Sequence, residues 1–265
     1  MAKPSRQSHC LFSVFSFLVL SIGVYGSASL TTGLRSSAVL AQVDDARFKR
    51  LREEMVRTQI VDARWTGAPP VRDARVLQAM REVPRHLFVP PEMVPHAYED
   101  RPLPIGLGQT ISQPYIVAKM TELAEPKKTD RALEVGTGSG YQAAVLAKVV
   151  AEVYTIEIVE PLGTQAAERL RAMGYRNVEV RIGDGYQGWP EKAPFDIILV
   201  TAAPPEIPPK LVEQLKPGGR MVLPVGGRFE TQWLMLLTKN EKGEVRKREV
   251  MPVAFVPMVP GKKKD

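Results

Sequence analysis

Chemistry is most directly read from the turn Glu134-Val135-Gly136-Thr137-Gly138-Ser139-Gly140. Glycines at alternate positions let a backbone approach a ligand closely and take φ values that a side chain forbids. A dinucleotide-binding turn has the form G-x-G-x-x-G, whereas here the third glycine is Gly140 and Tyr141 follows it. Glu134, two residues before the first glycine, would repel a pyrophosphate and attract a cation. S-adenosylmethionine carries a sulfonium and an amino group, and an E-x-G-x-G-x-G turn is the form expected of its binders. The competing reading is that the glycines only permit a tight strand-to-helix turn.

Two further carboxylates extend the pattern. Glu157 ends the apolar run Val153-Tyr154-Thr155-Ile156, 21 positions after Gly136, where a carboxylate can accept hydrogen bonds from both hydroxyls of a ribose. Gly183-Asp184-Gly185 closes a third run and offers Asp184 to an exocyclic adenine amine. Asp184 is equally readable as a turn residue, because Asp-Gly is favoured in turns. Glu160 is more simply the first-turn acid of the next helix. The candidate cofactor-binding residues are therefore Glu134, Gly136, Thr137, Gly138, Gly140, Glu157, Asp184 and Gly185.

These residues need a scaffold, and hydrophobic periodicity supplies one. Strands are predicted at Ala132–Val135, Val153–Ile158, Val178–Ile182, Phe195–Val200, Gly219–Pro224 and Trp233–Thr238. Helices are predicted at Tyr141–Val150, Glu160–Met173 and Pro208–Gln214. Strands alternating with helices imply an α/β fold, a doubly wound and mostly parallel sheet covered on both faces. Upstream, Arg47–Gln59 places Phe48, Leu51, Met55 and Ile60 at helical spacing, and Arg75–Glu82 gives a second short helix. Pro84, Pro90, Pro91, Pro95, Pro102 and Pro104 then predict an irregular, surface-wrapping segment over residues 83–109.

The stretch Gly106-Leu107-Gly108-Gln109-Thr110-Ile111-Ser112-Gln113-Pro114-Tyr115-Ile116-Val117-Ala118-Lys119-Met120 closely resembles the protein-L-isoaspartate (D-aspartate) O-methyltransferase family. Further matches are Val83-Pro84-Arg85-His86-Leu87-Phe88-Val89-Pro90, the Glu134–Gly140 turn, Gly183-Asp184-Gly185, Val200-Thr201-Ala202-Ala203-Pro204-Pro205 and Phe255-Val256-Pro257-Met258-Val259. The resemblance runs from about residue 45 to 260 in one order. It implies a seven-stranded, Rossmann-like methyltransferase core and S-adenosylmethionine as cofactor. The implied substrate is a protein or peptide carrying an L-isoaspartyl (or D-aspartyl) residue, whose free α-carboxylate is methylated. Monomeric enzyme without metal or nucleic-acid partner is expected. Ser112 is the implied catalytic residue, a hydroxyl that orients the substrate carboxylate, with Thr110, Ile111, Gln113 and Val256 as substrate-binding residues. Spacing alone leaves Ser112, Thr110 or Gln113 as caps of a helix at Pro114–Leu123, and apolar Ile111, Tyr115 and Val256 as core. A methyltransferase of small molecules or RNA, or a non-catalytic binding module on the same fold, would carry the same glycine turn.

Charge placement argues against RNA. Of the net charge of +7, residues 1–41 hold +3 and the last four residues +2, leaving +2 for the body between them. The single cysteine, Cys10, precedes the body, so the body has no thiol nucleophile or disulfide; His9, His86 and His96 show no metal-ligand spacing. Lys3 and Arg6 precede an uncharged run, most apolar over Leu11–Tyr25, in the layout of a secretory signal. Removal is expected after Ala28 or Ala41. An uncleaved anchor competes, although serines and glycines leave the run short of the roughly 20 apolar residues a spanning helix needs. The expected organisation is a signal-like leader (1–41), an N-terminal helical and substrate-contacting segment (42–130), the cofactor-binding core (131–260) and a basic tail (261–265). A used leader implies a periplasmic or secreted protein; the family usually works in the cytoplasm.

Overall fold

The computed structural model describes residues 45–62, 68–227 and 229–261. The expected leader (1–41) and the lysines of the tail lie outside these residues. Asp45–Asp265 forms one unit, in which residues 45–130 of the expected N-terminal segment and the expected core fall together.

A helix over residues 45–55, α1, runs into a single π-helical turn, Val56–Val61. Met55, Val56 and Ile60 are buried, whereas Leu51 faces outward at 36% exposure. The face the helix buries is Arg52, Met55 and Val56 rather than the expected Phe48, Leu51 and Met55, and the π turn brings Ile60, five residues after Met55, onto that face. Helix α2 (Ala74–Glu82) starts at Asp73, whose carboxylate accepts from the N–H groups of Arg75 and Val76.

The proline-crowded segment departs from expectation. It holds two 3-10 turns, Arg85–Phe88 and Pro91–His96, followed by strand β1 (Leu103–Gly106), which pairs antiparallel with β2 (Gln109–Ile111). Val83, Arg85, Phe88, Ala97 and Leu103 are fully buried, so the segment is part of the core rather than a surface wrap. Prolines exclude long ladders, but 3-10 turns and a three-to-four-residue strand fit between them.

Helix α3 (Pro114–Leu123) leads into the sheet. The remaining elements are β3 (Arg131–Val135), α4 (Tyr141–Ala147), β4 (Glu152–Glu157), α5 (Glu160–Ala172), β5 (Val178–Ile182), β6 (Phe195–Val200), α6 (Pro209–Gln214), β7 (Leu215–Val225), β8 (Gln232–Lys239) and β9 (Val245–Val253). Seven strands take the order β5-β4-β3-β6-β7-β8-β9. The first five in that order are parallel; β8 runs antiparallel to β7, and β9 antiparallel to β8. Alternate residues supply the two cores: Ala132, Ile197 and Leu199 pack with α2, α3 and α4, while Leu133, Val135, Ile198 and Val200 pack with Leu211 of α6 and with Trp189. Strand order reverses between β3 and β6, and that switch point is where a doubly wound sheet opens a crevice at the strands' carboxyl ends.

Candidate active site

The crevice at the switch point is pinned by Thr201, the residue after β6. Its N–H donates to Val135 O at 2.9 Å and its hydroxyl to Gly136 O at 2.7 Å. Gly136 has φ +101°, and a Cβ there would lie 2.5 Å from Thr201 Oγ1, so only glycine fits the first turn position. Gly138 N–H donates to Glu157 Oε2 at 2.7 Å, and Val159 N–H donates to Oε1 at 2.9 Å. The carboxylate at the end of β4 thus ties the glycine turn to the start of α5.

A cavity of about 890 Å³ opens over these strand ends. Its lining takes in Thr110, Ile111, Ser112, Glu134, Gly136, Thr137, Gly138, Glu157, Gly185 and Val256 from among the residues expected at the site. The structure leaves three outside this lining. Gly140 caps α4 in the left-handed conformation. Asp184 caps the 3-10 turn that follows β5, accepting from Tyr186 N–H at 2.9 Å. Gln113 donates through Nε2 to Asp100 and faces a second cavity. Residues that the sequence reading missed also line the first cavity, among them Val117, Ser139, Tyr141, Gln142, Thr201 and Met258. Val256 and Met258 reach it because the C-terminal segment hydrogen-bonds to Ala203 on both sides, through Ala203 N–H to Val256 O and Met258 N–H to Ala203 O.

The second cavity, about 920 Å³, is walled mainly by apolar residues such as Ile116, Met251, Val253 and Phe255 and, among the described residues, by no charged side chain. Tyr115 also lines it and is anchored by a hydrogen bond from its hydroxyl to Pro69 O at 2.7 Å. Thr110, Ser112, Thr201 and Val256 line both cavities. The two spaces therefore meet at three hydroxyls. That of Thr201 is committed to Gly136 O. Ser112 has no hydrogen-bond partner among the described residues, and its expected capping role is not made: Gln113 occupies the N-cap of α3 without a side-chain cap bond. Pro114 at the first helical position has no N–H to satisfy there.

The charge of the first cavity is one-sided. Among the described residues its wall contains two carboxylates, Glu134 and Glu157, and no lysine, arginine or histidine. Glu134 is completely buried. Burial pushes its carboxyl up to about 8, opposed by the hydrogen bond from Thr155 Oγ1 to Oε2 at 2.6 Å and reinforced by the nearby Glu157. Thr155 is in turn within 2.6 Å of Thr137 Oγ1, so the hydroxyl protons run from Thr137 to Thr155 to Glu134. Glu134 Oε1 is buried and has no partner. An unmet acceptor beside a glycine cradle, in a wall without cations, fits a ligand that brings positive charge. S-adenosylmethionine meets that requirement with its sulfonium and ammonium groups.

Comparison with known proteins places this geometry in a family. A model of the protein-L-isoaspartate(D-aspartate) O-methyltransferase family matches residues 61–263. A protein-L-isoaspartate O-methyltransferase 2 from a Polaromonas species is 58% identical over 205 residues, covering 77% of this chain and 97% of that protein. One from Syntrophobacter fumaroxidans is 54% identical over 235 residues, 88% of this chain and 95% of its own length. A solved structure described as a protein-L-isoaspartate O-methyltransferase from Plasmodium falciparum, in complex with S-adenosyl-L-homocysteine, superposes with a TM-score of 0.65 at 27% identity, covering 80% of this chain and 97% of that one. Another solved protein-L-isoaspartate O-methyltransferase gives a TM-score of 0.69 at 30% identity over 78% of this chain, which spans 65% of that longer protein. The chain belongs to the protein-L-isoaspartate(D-aspartate) O-methyltransferase family.

Proposed function

We propose that this chain carries out the repair reaction of its family, transferring a methyl group from S-adenosylmethionine to the free α-carboxylate of L-isoaspartyl and D-aspartyl residues in damaged proteins and peptides. The observation that carries this reading is the meeting of two cavities at Ser112, one walled by carboxylates without a cation and the other apolar.

Bound in the first cavity, S-adenosylmethionine supplies an electrophilic methyl group on a positively charged sulfur. Glu134 and the glycine turn would hold its amino-acid end, and Glu157 would accept from its ribose hydroxyls with the carboxylate lone pairs that Gly138 and Val159 do not use. The substrate carboxylate, with an ordinary pKa near 3.9, is ionised at neutral pH, so no side chain has to remove a proton. No histidine or lysine is among the described residues of either lining, which agrees with that economy. Ser112, with its hydroxyl uncommitted, orients the carboxylate at the junction, while Thr110, Ile111, Gln113 and Val256 frame the surrounding peptide. Positive and negative charge cancel on methyl transfer, so a junction with no fixed cation and mostly apolar walls avoids holding the carboxylate back in its ionised state. In the ester the backbone nitrogen on the C-terminal side attacks the ester carbonyl and methanol leaves, so succinimide re-forms; water then opens the ring, in part to normal aspartate.

S-adenosylhomocysteine should raise the melting temperature of the purified protein, as a ligand of the native state must, and calorimetry should show one site per chain. Absence of both effects would remove the cofactor assignment.

Lys3, Arg6 and the Leu11–Tyr25 run support a second proposal, that residues up to Ala28 or Ala41 are removed during export. Every motif named above lies downstream of them. N-terminal sequencing of protein from fractionated cells tests this: an intact Met1 on soluble cytoplasmic protein would contradict it.

A further inference from the structure

Gln142 lies in the first turn of α4, two residues after Gly140, and lines the cofactor cavity. It is 6% exposed. Its Nε2 donates to Thr121 Oγ1 at 2.9 Å, and Thr121 Oγ1 donates to Val117 O at 2.7 Å. That chain fixes the amide's orientation. The one hydroxyl proton of Thr121 is spent on the Val117 carbonyl, so its oxygen can only accept, and Gln142 must turn its NH2 toward it. Oε1 is thereby turned away from Thr121, and it is buried with no partner among the described residues. A buried amide oxygen left unmet is costly, and native structures supply a donor from protein, water or ligand.

The position of Gln142 says which donor. Glu157, Ile158 and Val159 lie at the end of β4, on the side of the cavity suited to a ribose; Gln142 stands with Val117 on the α3–α4 side. Glu134 Oε1 is the other unmet buried acceptor lining this cavity among the described residues. We propose that Gln142 Oε1 is a cofactor-binding acceptor for the ammonium group at the amino-acid end of S-adenosylmethionine, sharing that group with Glu134, and that Thr121 is the positioning residue that points it there. This rests on the cofactor reading above and assigns a contact beyond the glycine turn and the carboxylates.

The test is a binding cycle by calorimetry, using S-adenosylhomocysteine and its deamino analogue, in which hydrogen replaces the amino group, on the wild type and on Gln142→Met. The wild type should prefer S-adenosylhomocysteine over the deamino analogue. Gln142→Met should bind S-adenosylhomocysteine roughly 10- to 100-fold more weakly, the loss expected for a hydrogen bond to a charged group, while its affinity for the deamino analogue stays within about twofold of wild type. Thr121→Val should show the same selective loss in smaller measure. Equal weakening of both ligands by Gln142→Met, or no weakening of either, would overturn the proposal. So would a wild type that binds the two ligands equally, a result that does not depend on how well the variant folds. A wild type that binds neither ligand would instead sink the cofactor reading.

Discussion

Thr201 and Gly136 close the switch point of the sheet from opposite strands: the Thr201 hydroxyl donates to the Gly136 carbonyl at 2.7 Å, and the same oxygen would stand 2.5 Å from any Cβ placed on Gly136. The hydrogen bond that fixes the glycine turn also forbids a side chain in it.

Gly136→Ala must therefore break that contact and also hold alanine at φ +101°. The expected cost is about 1 to 3 kcal/mol of stability, with S-adenosylhomocysteine affinity reduced by more than stability accounts for. Thermal unfolding and calorimetry on one preparation measure both. Wild-type affinity in this variant would show that the turn does not shape the cavity.

Ser112 separates structure from chemistry cleanly, because α3 takes no cap bond from it. Ser112→Ala should change stability by less than the roughly 0.5 to 2 kcal/mol that loss of a true N-cap costs. Turnover on an isoaspartyl peptide should fall roughly 100-fold, the scale of a misplaced reacting group. Ser112→Asn, which keeps a hydrogen-bonding side chain but reshapes the junction, should also be impaired. Full activity in Ser112→Asn would contradict the orienting role.

The sequence made the first cavity far more legible than the second. Strands β3, β4 and β6 are buried on both faces and read as short apolar runs, so β6 matches the predicted bounds, β3 differs by one residue and β4 by one at each end; the edge strand β5, half-exposed, also matches, on the alternation of Val178, Val180 and Ile182. Strand β9 was invisible: Arg246, Lys247, Arg248 and Glu249 are all exposed on the sheet's edge, and a strand with neither face buried carries no alternation. The wall it leads into, Met251 to Val256, went unread with it, apart from Val256 itself. Ser139, Tyr141 and Gln142 were within reach, since they lie in or next to the glycine turn, but the inward aim of Gln142 depends on Thr121 of α3, 21 positions away. The switch-point hydrogen bond of Thr201 joins residues 65 positions apart and no local pattern encodes it.

Glu134 predicts a proton-linked ligand. Burial holds its carboxyl at about 8, above the ordinary 4.5, so at pH 7 the free protein carries a proton on Oε1, the oxygen that Thr155 leaves free, and Oε1 becomes an acceptor when that proton leaves. A cationic group placed beside it favours the ionised form. S-adenosylhomocysteine binding should then release a proton below pH 8, with affinity rising as pH rises toward 8 and levelling above it. Calorimetry in buffers of different ionisation enthalpy measures the proton count. No release at pH 7, or an unchanged pH profile in Glu134→Gln, would contradict this account.

His86 sets an acid limit on the fold. It stacks on Phe48 with ring centroids 3.8 Å apart and its Nδ1 lies 2.7 Å from the Tyr98 hydroxyl. Burial, and then the nearby Arg52, push its pKa down to about 4. A depressed folded-state value means that the unfolded chain binds the proton more readily, so this contribution is present above about pH 6.5 and is lost as pH falls toward 4. His86→Phe should keep the stacking and flatten the fall of melting temperature between pH 7 and 5. An equally steep fall in the variant would assign the acid sensitivity elsewhere.

The central claim is that the junction at Ser112 receives an isoaspartyl carboxylate. Purified protein incubated with methyl-labelled S-adenosylmethionine should label a peptide containing L-isoaspartate and largely ignore the same peptide with normal aspartate. Equal labelling of the two peptides, or labelling of neither, would contradict the claim.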